Sequence, residues 1–110
     1  MSDYLFNLTK KINKHYDLEV IYGFDGSFYD LKKGERIQKN VIFLLNMFAS
    51  KNDVIIKYKE ISMYIWGEVK SNNHVTQIVF LTNLEINSSV WNITNIRGIG
   101  YTMEKSPYSN

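Results

Sequence analysis

The 110-residue chain contains no cysteine. That excludes a disulfide framework, a thiol nucleophile and a thiolate metal site, and it fits a reducing compartment. Its one proline, Pro107, lies in the polar stretch Lys105-Ser106-Pro107-Tyr108-Ser109-Asn110. No Pro/Gly/Ser-rich linker or internal repeat divides the rest. No apolar run approaches the ~18 residues of a membrane helix; the longest are Val41 to Leu45 and Ile78 to Leu81. The opening Met1-Ser2-Asp3-Tyr4 lacks the basic-then-apolar build of a signal peptide. Excess charge is also scarce. The net charge is +2 and the isoelectric point about 8.8, whereas many nucleic-acid binders are far more basic. Lysine and arginine are frequent up to Lys70, and then none occurs until Arg97.

The side chains of hydrolytic catalysis are missing as constellations. His15 and His74 stand far apart with no ligand-like spacing around either, and the carboxylates are scattered among lysines as on a solvated surface. Gly23, Gly26 and Gly34 do not make a phosphate-cradling loop. Neither an enzyme, a metal site nor a cofactor is expected.

What is present is a foldable chain. Hydrophobic residues make up 45% and aromatics 15%, enough for one modest core and too short for two ordinary domains. The first third, about residues 4–38, reads as antiparallel sheet. Leu18-Glu19-Val20-Ile21-Tyr22 is β-prone, Asp25-Gly26 is a hairpin-turn pair, and Phe28-Tyr29-Asp30-Leu31 follows. Lys33-Gly34 offers a second turn before Arg36-Ile37-Gln38, and Tyr4 to Phe6 suggests an edge strand. Thr9 to Tyr16 is polar, lysine-rich and open between helix and loop.

About residues 39–86 turn helical. Val41, Leu44, Leu45 and Phe48 fall at i, i+3, i+4 and i+7, on one face, before Ser50-Lys51-Asn52-Asp53 closes the helix. The β-branched Val54-Ile55-Ile56 leads to a second helix carrying Ile61, Ile65 and Trp66, with Gly67 placed to stop it. The polar turn Lys70-Ser71-Asn72-Asn73 supplies candidate N-caps for a third helix from about His74 to Leu84. Residues 91–103 alternate around Gly98 and Gly100 and read as a β-hairpin. The expected class is α+β, in the order sheet, three helices, hairpin, over residues 1–104. Residues 105–110 form a polar tail, either a frayed end or a linker.

Three pieces in this order resemble the DNA-binding domain of OmpR/PhoB-type bacterial regulators. They are Val41-x-x-Leu44-Leu45-x-x-Phe48, Ile61-x-x-x-Ile65-Trp66-Gly67, and Ile93-x-x-Ile96-Arg97-Gly98-Ile99-Gly100-Tyr101. The last is similar to that family's hairpin "wing". The resemblance covers roughly Ile37 to Met103 and implies a winged helix-turn-helix with an N-terminal antiparallel sheet. It further implies sequence-specific binding of double-stranded promoter DNA in transcription regulation. Asn73-His74-Val75-Thr76-Gln77 is more similar to the ToxR/CadC-type branch, in which such a domain is joined to a membrane helix rather than a receiver domain. The implied location is cytoplasmic, alone or as the cytoplasmic part of an inner-membrane-anchored regulator. RNA polymerase, a second copy on DNA and a membrane-bound partner regulator are implied as further contacts.

By the resemblance, the third helix lies in the major groove with Asn73, His74, Thr76 and Gln77 toward base edges. Arg97 sits at the wing tip, within reach of phosphate or a narrow minor groove. Gly98 and Gly100 permit backbone angles that a side chain would oppose, and Tyr101 returns into the sheet beneath the wing. Lys57 and Lys59 flank the start of the second helix, where relatives contact phosphate. Lys57 replaces the usual Ser or Thr cap there.

The third helix also departs from the family, which carries arginines in its second half. Aligned from the wing, Ile78 and Leu81 take core positions and Thr82 an arginine position. Aligned from Val75, Val79 and Thr82 take core positions while Phe80 and Asn83 fall where arginines are common. Either way no cation remains, and phosphate contacts dominate DNA affinity. The same polar residues fit a solvated face with one capping asparagine, and Arg97, Lys57 and Lys59 fit solvated surface. A winged helix repurposed as a protein–protein or adaptor module is therefore the alternative, supported by Phe80 or Leu81 as an apolar contact.

Overall fold

The computed structural model describes residues 3–51, 54–86 and 90–106. Its elements are α1 (Asp3–Tyr16), β1 (Val20–Tyr22), β2 (Phe28–Asp30), β3 (Glu35–Ile37), α2 (Lys39–Ser50), β4 (Ile56–Lys57), α3 (Tyr58–Trp66), α4 (Asn72–Glu85), β5 (Trp91–Ile96) and β6 (Gly100–Lys105). The class is α+β, with two three-stranded antiparallel sheets in the orders β1-β2-β3 and β4-β6-β5.

The first finding is a correction. The edge strand expected at Tyr4–Phe6 is instead the first turn of α1, and the described residues hold four helices rather than three. Leu8, Ile12 and Tyr16 fall at i, i+4 and i+8 and are all buried, with Leu5 packed beside them. That spacing is a helical stripe, and it outweighs the local β-propensity of Tyr4 and Phe6, whose side chains stay exposed. Asp3 in the first turn and Lys14 in the last suit the helix dipole. The helix stops at Asp17, which takes a left-handed φ of 58°. Leu18 N–H then reaches back to Asn13 O at 3.1 Å, the six-to-one bond of a Schellman ending.

The two expected turns form around Gly26 and Gly34, and the sheet register runs Val20↔Asp30 and Phe28↔Ile37. Central to the core is α2, which buries Val41, Ile42, Leu44, Leu45, Met47 and Phe48 and packs on both α1 and α4. The buried Tyr16 hydroxyl donates to Leu45 O at 2.7 Å, so the polar end of a large core side chain is satisfied. Burial pushes that phenol far above its ordinary range.

Asparagine side chains close both sheets against helices. Asn13 of α1 accepts from Val20 N–H and donates to Val20 O, both at 2.9 Å. Asn83 of α4 accepts from Ile93 N–H at 2.8 Å and donates to Ile93 O at 3.1 Å. Since β1 and β5 are edge strands, each side-chain amide stands where a further strand's peptide group would pair.

Lys105 ends β6, and Ser106 N–H bonds Val90 O at 2.6 Å, so the hairpin runs two residues past its expected end at Met103. Residues 107–110 of the expected tail, and Asn52 and Asp53 of the expected helix ending, lie outside the described residues. Among the described residues no helix is long and apolar enough to cross a membrane.

Candidate nucleic-acid interface

The candidate surface is built on α3, α4 and the β5–β6 hairpin. Tyr58 begins α3 directly after Lys57, which has an extended φ of −70°. No hydroxyl caps this start, and a lysine ammonium cannot accept a backbone N–H. Glu60 instead reaches back so that its Oε1 accepts from Lys57 N–H at 3.3 Å, half of a capping box. This contact, with the Lys51 ammonium 3.3 Å away, holds the Glu60 carboxyl below its ordinary range. Both Lys57 and Lys59 are exposed.

Gly67 ends α3 as expected, in the left-handed conformation (φ 73°), with its N–H on Met63 O at 2.9 Å. The turn that follows is fixed by a residue the sequence did not single out. The buried Ser62 hydroxyl donates to Glu68 O at 2.7 Å and accepts from Lys70 N–H at 2.6 Å. One hydroxyl thereby ties the Glu68–Lys70 turn back to α3. A serine next to Ile61 on the apolar side of the helix is the available signal, but its partners follow only from the turn's path.

The register of α4 decides between the two alignments. Val75, Ile78, Val79 and Thr82 are buried, whereas Leu81 is only half-buried. The register counted from Val75 is the one adopted. Thr82 tolerates complete burial because its hydroxyl donates to Ile78 O at 2.7 Å. Asn73, His74, Thr76, Gln77 and Phe80 all face outward, Phe80 with 61% of its surface exposed. His74 is further constrained, since its Nδ1 lies 2.9 Å from Ser71 Oγ and its ring stands edge-on to Trp66 at 5.9 Å. Trp66 itself packs against the core, as expected. Asn83 is set apart from the outward group, with its amide committed to β5.

Gly98 and Gly100 act differently in the wing. Ile99 N–H closes a four-residue turn on Ile96 O at 2.9 Å, and Gly98 occupies its third position with φ 78°. Glycine is favoured there by backbone angle. Gly100 has no such angle. A Cβ on it would lie 2.1 Å from Ile56 O, because β4 passes directly against it. The expectation that both glycines serve backbone angle is therefore corrected: Gly100 permits close approach of a neighbouring strand. Arg97 is exposed in the turn between Ile96 and Gly98.

Tyr101 is buried beneath the wing, as expected. Its ring meets Tyr58 edge-on at 5.4 Å, and its hydroxyl lies 3.4 Å from Thr76 Oγ1. The Tyr58 hydroxyl donates to Asn95 Oδ1 at 3.0 Å. This tyrosine pair joins the start of α3, the first half of α4 and both wing strands, and Tyr58 was not foreseen. Its only sequence signal is an aromatic residue at the beginning of a helix.

No protein-family model matches the chain, and no curated protein matches it. Among solved structures, the crystal structure of the DNA-binding domain of Bacillus subtilis CssR is similar in fold, with a TM-score of 0.56. The match covers 78% of this chain and 100% of that one at 20% sequence identity, so the likeness is one of fold.

Proposed function

We propose that this chain is a sequence-specific reader of double-stranded promoter DNA that acts in transcription regulation. The carrying observation is the outward face of α4. Asn73, Thr76 and Gln77 are held away from the core by buried Val75, Ile78, Val79 and Thr82, with the exposed Arg97 on the adjoining wing. On this reading the first half of α4 enters the major groove. Asn73 and Gln77 pair with adenine edges, and His74 and Thr76 flank them. Arg97 enters the minor groove or meets phosphate, and Lys57 and Lys59 meet phosphate. Gly98, Gly100 and Tyr101 carry the wing rather than touching DNA. The shared fold with a protein described as a DNA-binding domain supports the reading.

If three cations each neutralise one phosphate, the logarithm of affinity falls against the logarithm of salt with a slope of about −3. Arg97→Ala is expected to weaken binding across sequences and to flatten that slope by about one unit. Gln77→Ala or Asn73→Ala is expected to relax base preference instead, at a cost of about 1–3 kcal/mol at the cognate site. Titration of duplex with the domain by fluorescence anisotropy at several salt concentrations checks both. A folded domain that retards no promoter DNA at low salt would sink this reading.

The second reading is a winged helix turned to protein contact. Its specific support is Phe80 and Leu84, one helical turn apart on α4 with 61% and 55% of their surfaces exposed. Contacts with RNA polymerase through the Gly67-to-Asn73 connection, with a second copy on DNA, or with a membrane-bound regulator belong to the proposal, as does a cytoplasmic location.

A further inference from the structure

The outward face of α4 is selective in what it omits. Guanine is read in the major groove chiefly by Arg or Lys, and cytosine by Asp or Glu. No residue of these four types occurs in α4 before Glu85, which ends the helix and has Oε2 3.6 Å from Lys33 Nζ. His74 has its Nδ1 2.9 Å from Ser71 Oγ and its ring edge-on to Trp66, so it offers a base edge one ring nitrogen, Nε2, where guanine is read best by a pair of donors. The groups left are of two kinds. Asn73 and Gln77 present amides that match adenine, while Thr76 and Phe80 present apolar surface that matches the thymine C5-methyl group. From Asn73 to Phe80 the helix rises about 10 Å, the length of roughly three base pairs. On the wing, the exposed Arg97 suits the narrow, strongly negative minor groove of A·T tracts.

We propose that Phe80 is a thymine-methyl reader and that the duplex recognised by this chain is a run of A·T pairs. The proposal rests on the DNA-reading function above and adds the chemical class of the target. Phe80 stands where the family resemblance expects an arginine, and 61% of its surface is exposed. A phenyl ring there exchanges a sequence-blind phosphate contact for an apolar contact that only thymine offers. The exchange lowers affinity for DNA in general and raises the share of binding that depends on sequence.

The test uses the chain with three duplexes of equal length at one low salt concentration. One is A·T-rich and taken from a selection on random DNA, one is the same with every thymine replaced by deoxyuridine, and one is G·C-rich. Deoxyuridine removes only the methyl group and keeps the pairing and the hydrogen-bonding edge. The expected results are at least tenfold preference for the A·T-rich duplex and a loss of about fourfold for each methyl that meets Phe80 or Thr76. Phe80→Ala, at an exposed position and checked for folding by circular dichroism, is expected to lose most of the discrimination between thymine and deoxyuridine. Phe80→Arg is expected to raise affinity for all three duplexes and narrow the differences. Equal binding of A·T-rich and G·C-rich duplexes overturns the proposal, and so does a thymine-to-deoxyuridine effect that Phe80→Ala leaves intact. Either result leaves DNA binding standing. Failure to bind any of the duplexes at low salt removes the DNA reading and this proposal with it.

Discussion

Two junctions in this molecule use the same device. At the N-terminal one, Asn13 on α1 pairs its side-chain amide with both backbone groups of Val20 on the edge of the first sheet. At the C-terminal one, Asn83 on α4 does the same to Ile93 on the edge of the second. Both seal a sheet edge and fix a helix to it. They differ in what the helix carries. The first junction anchors α1, which packs on α2 and β1. The second fixes the angle between α4 and the wing, the two elements proposed to touch DNA. One chemical arrangement thus ties a helix to a sheet edge in both places, and under the proposed function the second also presents a surface.

The largest expected effect breaks the C-terminal side of that comparison outright. In Gly100→Ala the new methyl carbon would lie 2.1 Å from Ile56 O, and the obstacle is backbone, so the wing must move away from β4. We expect a stability loss of about 3 kcal/mol, with weaker DNA binding as the wing shifts. Gly98→Ala, strained only by its φ of 78° in open space, is expected to lose about 1 kcal/mol. Urea denaturation of both variants measures the contrast. Equal losses would mean that the strand approach at Gly100 matters no more than the turn angle.

The junctions themselves come next. Asn83→Ala leaves an N–H and a carbonyl of Ile93 without their partners, and Asn13→Ala does the same at Val20. Each is expected to lose about 2 kcal/mol. The comparison sharpens in the second readout. Asn83→Ala should also weaken DNA binding measured well below its melting temperature, whereas Asn13→Ala should leave it unchanged. Equal effects on DNA binding would show that Asn83 has no special part in orienting the wing.

These pairs also mark how far the sequence could be read. The apolar spacing of α2, the Trp66-Gly67 ending of α3 and the Gly98 turn were legible because each is a local pattern with a local cause. The helical stripe of Leu5, Leu8, Ile12 and Tyr16 is equally local, but the β-prone Tyr4 and Phe6 around its first member suggest a strand, and the lysines between Thr9 and Tyr16 leave the rest open between helix and loop. Asn83 falls at a position where the resembled family commonly carries arginine, and its partner on β5 could not be counted along the helix. Gly100 is legible in the sequence as a wing glycine, but the reason for it is not. The strand that crowds it comes from a distant part of the chain, and a contact of that kind leaves no periodic trace.

The smallest expected effect concerns His15, the residue before Tyr16 in the last turn of α1. Its ring stacks on Trp91 at 5.2 Å and meets Tyr16 edge-on at 4.6 Å, and its buried Nε2 has no hydrogen-bond partner. Burial, with Lys11 nearby, lowers its pKa below the ordinary 6.5. The unfolded chain therefore takes up this proton first as the pH falls. Stability declines from about pH 6.5 down to the depressed folded value and is flat with respect to this group below it. Glu85 works in the opposite sense. Burial raises its carboxyl pKa despite Lys33, so stability recovers as the pH falls through that raised value toward 4.5. His15→Phe keeps a ring against Trp91 and removes the titration. The difference in melting temperature between variant and wild type is expected to grow in the variant's favour from pH 7 to pH 5, and Glu85 cancels from that difference. A constant difference would mean that His15 takes its proton as readily in the folded chain as in the unfolded one, and that the N-terminal junction, like Asn13, contributes packing without sensing pH.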